Sequence, residues 1–419
     1  MNLLQKIQNI NFLLSLIIPF LILGPFFPDL IVSVSALFFL YFIFKDNDFY
    51  YFKNKPFIIF ISFCVIAIIS SLESEYISHS IKSSFFYFRI GVFSCFVWYL
   101  IDKDKKILKY FYYSLLICFS ILVIDGYFQF FVGHNILGYR ASWVRVSSFF
   151  GDELIMGSYL SRLFPLLFAL FLVKQKKKIE IYFIGILFIL VDVLIYISGE
   201  RTSFFFLNLS TIFIIILIKE YQKFRLITLI LSFILIGAIT LSSDKLSERM
   251  IKGPAKSMGL IKDAQNKNIF TPQHDSLIRT AFNIFLDKPI LGHGPKSFRF
   301  ICKEEKYQIG SNPCDTHPHN FYIQLLAETG IVGFLFLISS FFYVIYCFYR
   351  QLKSIAFKKE RYLTDYQVCL LAGILITVWP LSPNGNFFNN WLIIVYSLTV
   401  GFYLHSIYSK KKNKKTIFF

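Results

Sequence analysis

The chain is a succession of long apolar runs, and no other feature narrows its fold so far. At 1.5 Å per residue a helix needs roughly 20 apolar residues to cross about 30 Å of hydrocarbon. Runs of about that reach fall near 8–25, 30–45, 56–73, 84–101, 107–125, 155–173, 179–198, 203–218, 225–242, 328–349, 364–381 and 388–407. Hydrocarbon satisfies no free backbone N–H or C=O, so runs of this kind have to be helices. The expectation is an all-α polytopic integral membrane protein with about 12 transmembrane helices. Only 16% of the residues are charged, and 53 Phe and 25 Tyr suit lipid-facing and interfacial positions better than an aqueous core.

The runs divide the chain into three parts. Residues 1–242 hold transmembrane helices 1–9 with an outer loop at 126–154, residues 243–327 form one large loop, and residues 328–419 hold helices 10–12 and a basic tail. An even number of spans puts both termini on one side, and the basic residues mark that side as cytoplasmic. Lys103, Lys105, Lys106 and Lys109, then Lys174, Lys177 and Lys178, Lys219, Lys223 and Arg225, Arg350 to Arg361, and Lys410 to Lys415 all fall there. The short opposite loops hold Lys82, Arg140, Arg145 and Arg201, and the long loop can cross regardless of its charge. The formal net charge of +18 is therefore a topology signal with anionic-lipid contact rather than a nucleic-acid footprint. Pro25 to Asp29 offers no small-x-small cleavage site, so the first run is expected to stay as a span.

Transporters place ionisable groups near the bilayer midplane, whereas most here lie toward the outer leaflet. Arg89, Arg162, Asp125 and Asp192 share that depth and, with Arg140 and Arg145, point to a cationic cavity suited to a lipid-linked phosphate. Independent snorkelling of each side chain is the alternative. Arg201 opens a helix after a very short turn, where its fork of donors can clamp a phosphate or pair with Glu200. In the long loop, Asp275 or Ser276 can cap a helix that Pro289 stops, with Leu277, Ile278, Ala281, Phe282 and Phe285 on its apolar face and Arg279 and Asn283 on the other. His317 and His319 beside Asp315, Cys314 and His293 invite a metal reading, but no Cys-x-x-Cys pair supports it, and no metal or other cofactor is expected. Cys302 and Cys314 are the two cysteines outside apolar runs, and in an oxidising compartment they either form a disulfide or remain two free thiols in a mobile loop.

His319-Asn320, nine residues, then Gly330-x-x-Gly333 resembles the signature of the O-antigen ligase family of membrane glycosyltransferases, which includes O-antigen polymerases. Arg279 with Asp287-x-Pro289-x-x-Gly292-x-Gly294 resembles the arginine helix and turn that precede that signature, and Arg201 resembles the family's arginine at the outer start of a span. Glu200 departs from the pattern, where a small or uncharged residue is expected, and puts phosphate binding there in question.

The resemblance implies a multi-spanning glycosyltransferase fold in the bacterial inner membrane, with a large periplasmic loop containing short helices over the active site. It also implies inverting, metal-independent transfer of a glycan from undecaprenyl pyrophosphate to the lipid A-core of lipopolysaccharide. His319 is then the catalytic group, Arg201, Arg279, Arg145 and Arg162 hold the donor pyrophosphate, and Asn320, Gly292, Gly294, Gly330 and Gly333 build the motif. A polymerase joining lipid-linked repeat units shares these residues, and a glycan or lipid transporter is the competitor from another class.

Overall fold

The computed structural model describes residues 3–143, 145–175, 177–257 and 270–409, with side chains from residue 8 onward. The basic run Lys410 to Lys415 lies outside them. Among the described residues every regular element is helical, and extended pairing is confined to the bridges His134–Arg140 and Ser142–Arg145. Counting helices of seven residues or more, the chain runs α1 (Leu3–Ser15), α2 (Ile17–Leu23), α3 (Phe26–Asp46), α4 (Lys55–Leu72), α5 (Ile77–Ser84), α6 (Phe88–Lys103), α7 (Lys106–Val132), α8 (Met156–Val173), α9 (Lys178–Ile197), α10 (Arg201–Leu217), α11 (Gln222–Ser242), α12 (Pro272–Asp287), α13 (Phe321–Ala356), α14 (Asp365–Thr377) and α15 (Asn390–Tyr408).

Nine helical segments among the described residues are long and apolar enough to cross a membrane: α3, α4, Ile77–Lys103, α7, α8, α9, α11, α13 and α15. Shorter apolar helices, Gln8–Leu23, α10 and α14, occupy the other runs read from the sequence. The chain is a polytopic membrane protein. The first run breaks at Leu16 because Pro19 has no N–H for the Ser15 carbonyl, so the helix restarts as α2. Asn54 caps α4 by accepting from the Phe57 N–H at 2.9 Å, and Thr364 with Gln367 forms a capping box at α14.

Burial ranks the helices. The most apolar stretch of α8 is 94% buried, against 22% for α11 and 28% for α3. A helix apolar on all sides belongs inside the bundle, and α8 is enclosed by α7, α9, α10, α14 and α15. Asp192 and Arg225 do not join an outer cavity or a cytoplasmic cluster, as their sequence positions suggest. They form a bidentate pair at 2.8 and 3.0 Å between α9 and α11, fully buried, with Thr211 and Thr228 accepting from the terminal guanidinium nitrogens and Ser232 donating to the carboxylate. Asp125 is likewise structural, accepting from the Ile136 N–H and the Ser148 hydroxyl to pin the 133–151 loop.

On the face where α8, α10, α13 and α15 begin, α12 and residues 289–319 form a lobe with its own core of Leu277, Ile284, Phe298, Ile301, Tyr307 and Ala327. Thr271 precedes Pro272 at the first helical position, so α12 starts earlier than a cap at Asp275 or Ser276 allows. Cys302 and Cys314 are joined by a disulfide, their Cα atoms 5.1 Å apart. Ala327 belongs to α13, so the first turns of that helix are part of the lobe.

Candidate active site

Two glycines lock the lobe to the bundle. Gly330 interrupts α13 with φ +65° and ψ −166°, a conformation essentially reserved for glycine, and a Cβ there would strike the backbone of Ile290. Gly292 faces it at φ +66°, where a Cβ would stand 2.5 Å from the Glu328 carbonyl carbon. The close approach lets three hydrogen bonds cross between the segments: Ile331 N–H to Pro289 O, His293 N–H to Ala327 O and Gly294 N–H to Glu328 O, at 2.8 to 3.0 Å. Gly294 abuts Ser74 and Ser80, and Gly333 packs against Thr329 of its own helix and Phe63. Gly330 and Gly333 therefore form a packed kink.

That kink and the cap above it fix His319. Asn320 is the N-cap of α13, its Oδ1 accepting from the N–H groups of Tyr322 and Ile323 at 3.0 and 3.2 Å, and its Nδ2 donates to Pro380 O at 2.8 Å. His319 stands just before the cap at φ +54°, uncommon for a side chain other than glycine. The N–H of Asn384 holds it there by donating to the His319 carbonyl at 2.8 Å. Asn384 Oδ1 in turn accepts from Arg162 at 3.1 Å. Arg162 is 5% exposed, packed over the rings of Phe206 and Tyr396, and one terminal guanidinium nitrogen has no partner. The linker from α14 to α15 is thus part of the site, although no motif in it announces this.

The His319 ring is half-buried, with Nε2 3.3 Å from Asp315 Oδ2. His317 lies 4.1 Å away ring to ring and His274, from α12, 5.4 Å away. Burial, then the proximity of His319, lowers His317 to about 4. Burial, His319 and Arg201 likewise hold His274 below the ordinary imidazole range, with Asp315 opposing. Burial works against the Asp315 charge, yet the Thr316 N–H and His319 keep its carboxyl below the usual carboxylate range. The dyad therefore pairs a carboxylate with one imidazole nitrogen and leaves the other, Nδ1, for a substrate.

On the α12 side of His319, Arg201 lies in the field of both Arg145 and Arg249, forming a trio of guanidinium groups. Arg145 donates to Leu154 O at 3.2 Å and Arg249 to Gly199 O at 3.1 Å. Glu200 does not pair with Arg201. Its carboxylate turns to the start of α8, accepting from the N–H groups of Gly157 and Ser158 and from Ser203 at 2.6 to 2.9 Å. Burial pushes this carboxyl up to about 7 against the pull of those donors. Of the four arginines read as donor-binding, Arg201 and Arg145 come together and Arg162 stands below the His319 carbonyl. Arg279 lies on an exposed face of α12, paired with Asp275 at 2.8 Å. His274 and Arg249 carry no motif. The Thr271-Pro272 helix start was the available signal for His274, because it turns that residue to the face opposite Arg279.

Among the described residues no group of three His, Cys, Asp or Glu is arranged to hold a metal ion. The arrangement suits abstraction of a proton beside a cluster of cations that stabilises a departing anion.

The curated comparison gives a Rickettsia conorii protein whose name describes it provisionally as a polysaccharide ligase, 24% identical over 129 residues. The match covers 28% of this chain and 29% of that protein, so it spans less than a third of the relative. The O-antigen ligase family profile matches residues 184–338, a segment that holds Arg201, Arg249, His274 and His319 but not Arg162 or Asn384. Over residues 184–338 the chain is thus similar to the O-antigen ligase family.

Proposed function

We propose that the chain is an inverting glycosyltransferase of the O-antigen ligase type, acting at the periplasmic face of the bacterial inner membrane with both termini cytoplasmic. The observation that carries this reading is His319, which stands bonded to Asp315 beside the Arg145, Arg201 and Arg249 trio. The donor is a glycan on undecaprenyl pyrophosphate and the acceptor is the lipid A-core of lipopolysaccharide.

With Nε2 occupied by Asp315, Nδ1 of His319 takes the proton of the acceptor hydroxyl. The acceptor oxygen attacks the anomeric carbon from the side opposite the pyrophosphate, and the bond from that carbon to the pyrophosphate oxygen breaks with its electron pair leaving on the lipid carrier. A single displacement inverts the configuration. The arginines meet the charge that develops on the leaving group, the work a divalent cation does elsewhere. Arg279 contributes to donor binding once it leaves Asp275, and Arg162 through its free donor. The Glu200 carboxylate is held at the start of α8 by the Gly157 and Ser158 N–H groups, with Arg145 of the trio in its field, and makes no ion pair with Arg201.

The test is transfer in vitro from purified undecaprenyl-linked glycan to rough lipopolysaccharide by the purified chain. A covalent glycan–lipopolysaccharide product is expected, lost in His319→Ala. Elongated lipid-linked glycan without transfer to lipopolysaccharide would make the chain a polymerase, and movement of glycan without any new bond would make it a transporter.

A further inference from the structure

A second group of cations, not among the residues assigned above to the donor, lies near His317. Residues 294–301 dock against α5 through Gly294, which meets Ser74 and Ser80, and through Phe300, which stacks on Tyr76 at 4.6 Å and meets the His79 ring edge-on at 4.9 Å. This contact brings Lys296 and Arg299 into each other's field and, with Lys82, into the field of His79. Arg299 also bears on His317, which touches His319.

The group is uncompensated. Arg89, Arg225, Arg279, Lys174 and Arg361 each have a carboxylate partner. Among the described residues Lys82, Lys296 and Arg299 have none within ion-pair distance. Glu328 lies within the field of Lys296, but its oxygens are engaged by Gln324 and the Phe298 N–H inside the lobe. Nε of Arg299 and Nε2 of His79 are shielded from water and bond to nothing in the protein. A buried guanidinium donor left this way calls for a ligand that accepts hydrogen bonds and carries negative charge, and His79 adds a second donor in its Nε2–H tautomer. Beside the cations, Phe85 and Phe86 stand 52% and 56% exposed, an apolar flank for acyl chains.

We propose that His79, Lys82, Lys296 and Arg299 form a second phosphate subsite, separate from the arginine trio, which holds a phosphate of the acceptor glycolipid while its hydroxyl reaches His319. This rests on the glycosyl-transfer reading. Donor and acceptor are then both phosphorylated lipids, and the two cationic groups keep them apart. The same chemistry would also attract a bulk anionic phospholipid, so the test separates the two sources.

The full chain is placed in phosphatidylcholine nanodiscs with or without phosphatidylglycerol and given undecaprenyl-linked glycan and rough lipopolysaccharide, either intact or dephosphorylated with hydrofluoric acid. Arg299→Ala and Lys296→Ala are each expected to raise KM for intact acceptor about tenfold or more, the scale of one lost charge-assisted bond, with KM for the donor within about twofold. Arg299→Lys should recover part of the loss. Dephosphorylation should weaken the acceptor for the unsubstituted protein but not further for Arg299→Ala. An unchanged acceptor KM in these variants, a rise confined to the donor, or equal use of intact and dephosphorylated acceptor overturns the proposal. A dependence on phosphatidylglycerol alone assigns the group to bulk lipid and overturns it equally. If the unsubstituted protein makes no product, the glycosyl-transfer reading fails instead. Native mass spectrometry then still decides whether intact lipopolysaccharide binds more tightly than its dephosphorylated form in an Arg299-dependent way.

Discussion

Replacing Gly330 by alanine tests the interlock of lobe and bundle. The native φ of +65° with ψ −166° lies in the region that costs a residue with a Cβ of the order of 1–3 kcal/mol. The added methyl would also drive into the Ile290 backbone and stand 2.7 Å from the Leu291 nitrogen, and a backbone neighbour cannot rotate away as a side chain can. Relief requires the 289–294 turn to withdraw, which breaks the three hydrogen bonds across the contact at about 1 kcal/mol each. Together the loss is about 4–6 kcal/mol, in the range that only a few mechanisms reach. Two other glycines calibrate it. Gly333→Ala meets mainly the Thr329 side chain and is expected to cost less than half as much, while Gly237→Ala in α11 meets nothing within 4 Å and should stabilise by about 0.5–1 kcal/mol. Equilibrium unfolding of the purified variants in mixed micelles of dodecylmaltoside and SDS measures all three. A Gly330→Ala protein within about 1 kcal/mol of the parent, or no better distinguished than Gly333→Ala, would refute the argument that this backbone contact holds the lobe.

Four further outcomes are expected. His319→Ala should lower kcat for transfer by about 100-fold or more with expression intact, whereas His317→Ala should be milder; near-normal ligation in cells by the first variant rules out His319 as the base. Arg201→Lys should lose at least about tenfold in kcat/KM at limiting donor, because an ammonium cannot make two parallel contacts, and should lose more than Arg279→Lys, whose arginine is exposed and paired with Asp275; the reverse order would move donor binding to α12. EDTA should leave the rate unchanged, and a strict need for added Mg²⁺ or Mn²⁺ would reopen a metal role for His293, Asp315 and His317. Cys302→Ser with Cys314→Ser should destabilise the lobe by about 3 kcal/mol in the chain-entropy estimate, read as faster proteolysis of residues 289–319, and free thiols at both positions in protein from oxidised periplasm would remove the basis for this.

The helices were legible because a membrane span has to be apolar over its whole length, and each run read from the sequence holds a helix. His319 and Asn320 were legible because their work is done within a few residues of chain, at a cap whose partners are local. Pairings between distant segments were not. Arg225 counts as one more basic residue near a helix start until α9 brings Asp192 to it, and Glu200 reads as a competitor for Arg201 until α8 presents two free N–H groups. Asn384 is invisible in the same way, since it acts on His319 through a backbone N–H that every residue but proline carries.

The order of synthesis gives that last contact a further meaning. Residues 378–389 leave the ribosome after the domain that carries Arg201 and His319. Yet Val378 O accepts from Tyr322, Pro380 O from Asn320, and the Asn384 N–H reaches the His319 carbonyl. A nascent chain that has already inserted α13 therefore still lacks three of the bonds that set the imidazole in place. The hairpin of α14 and α15 completes them, so biogenesis itself withholds an assembled candidate site until these two helices have entered the bilayer.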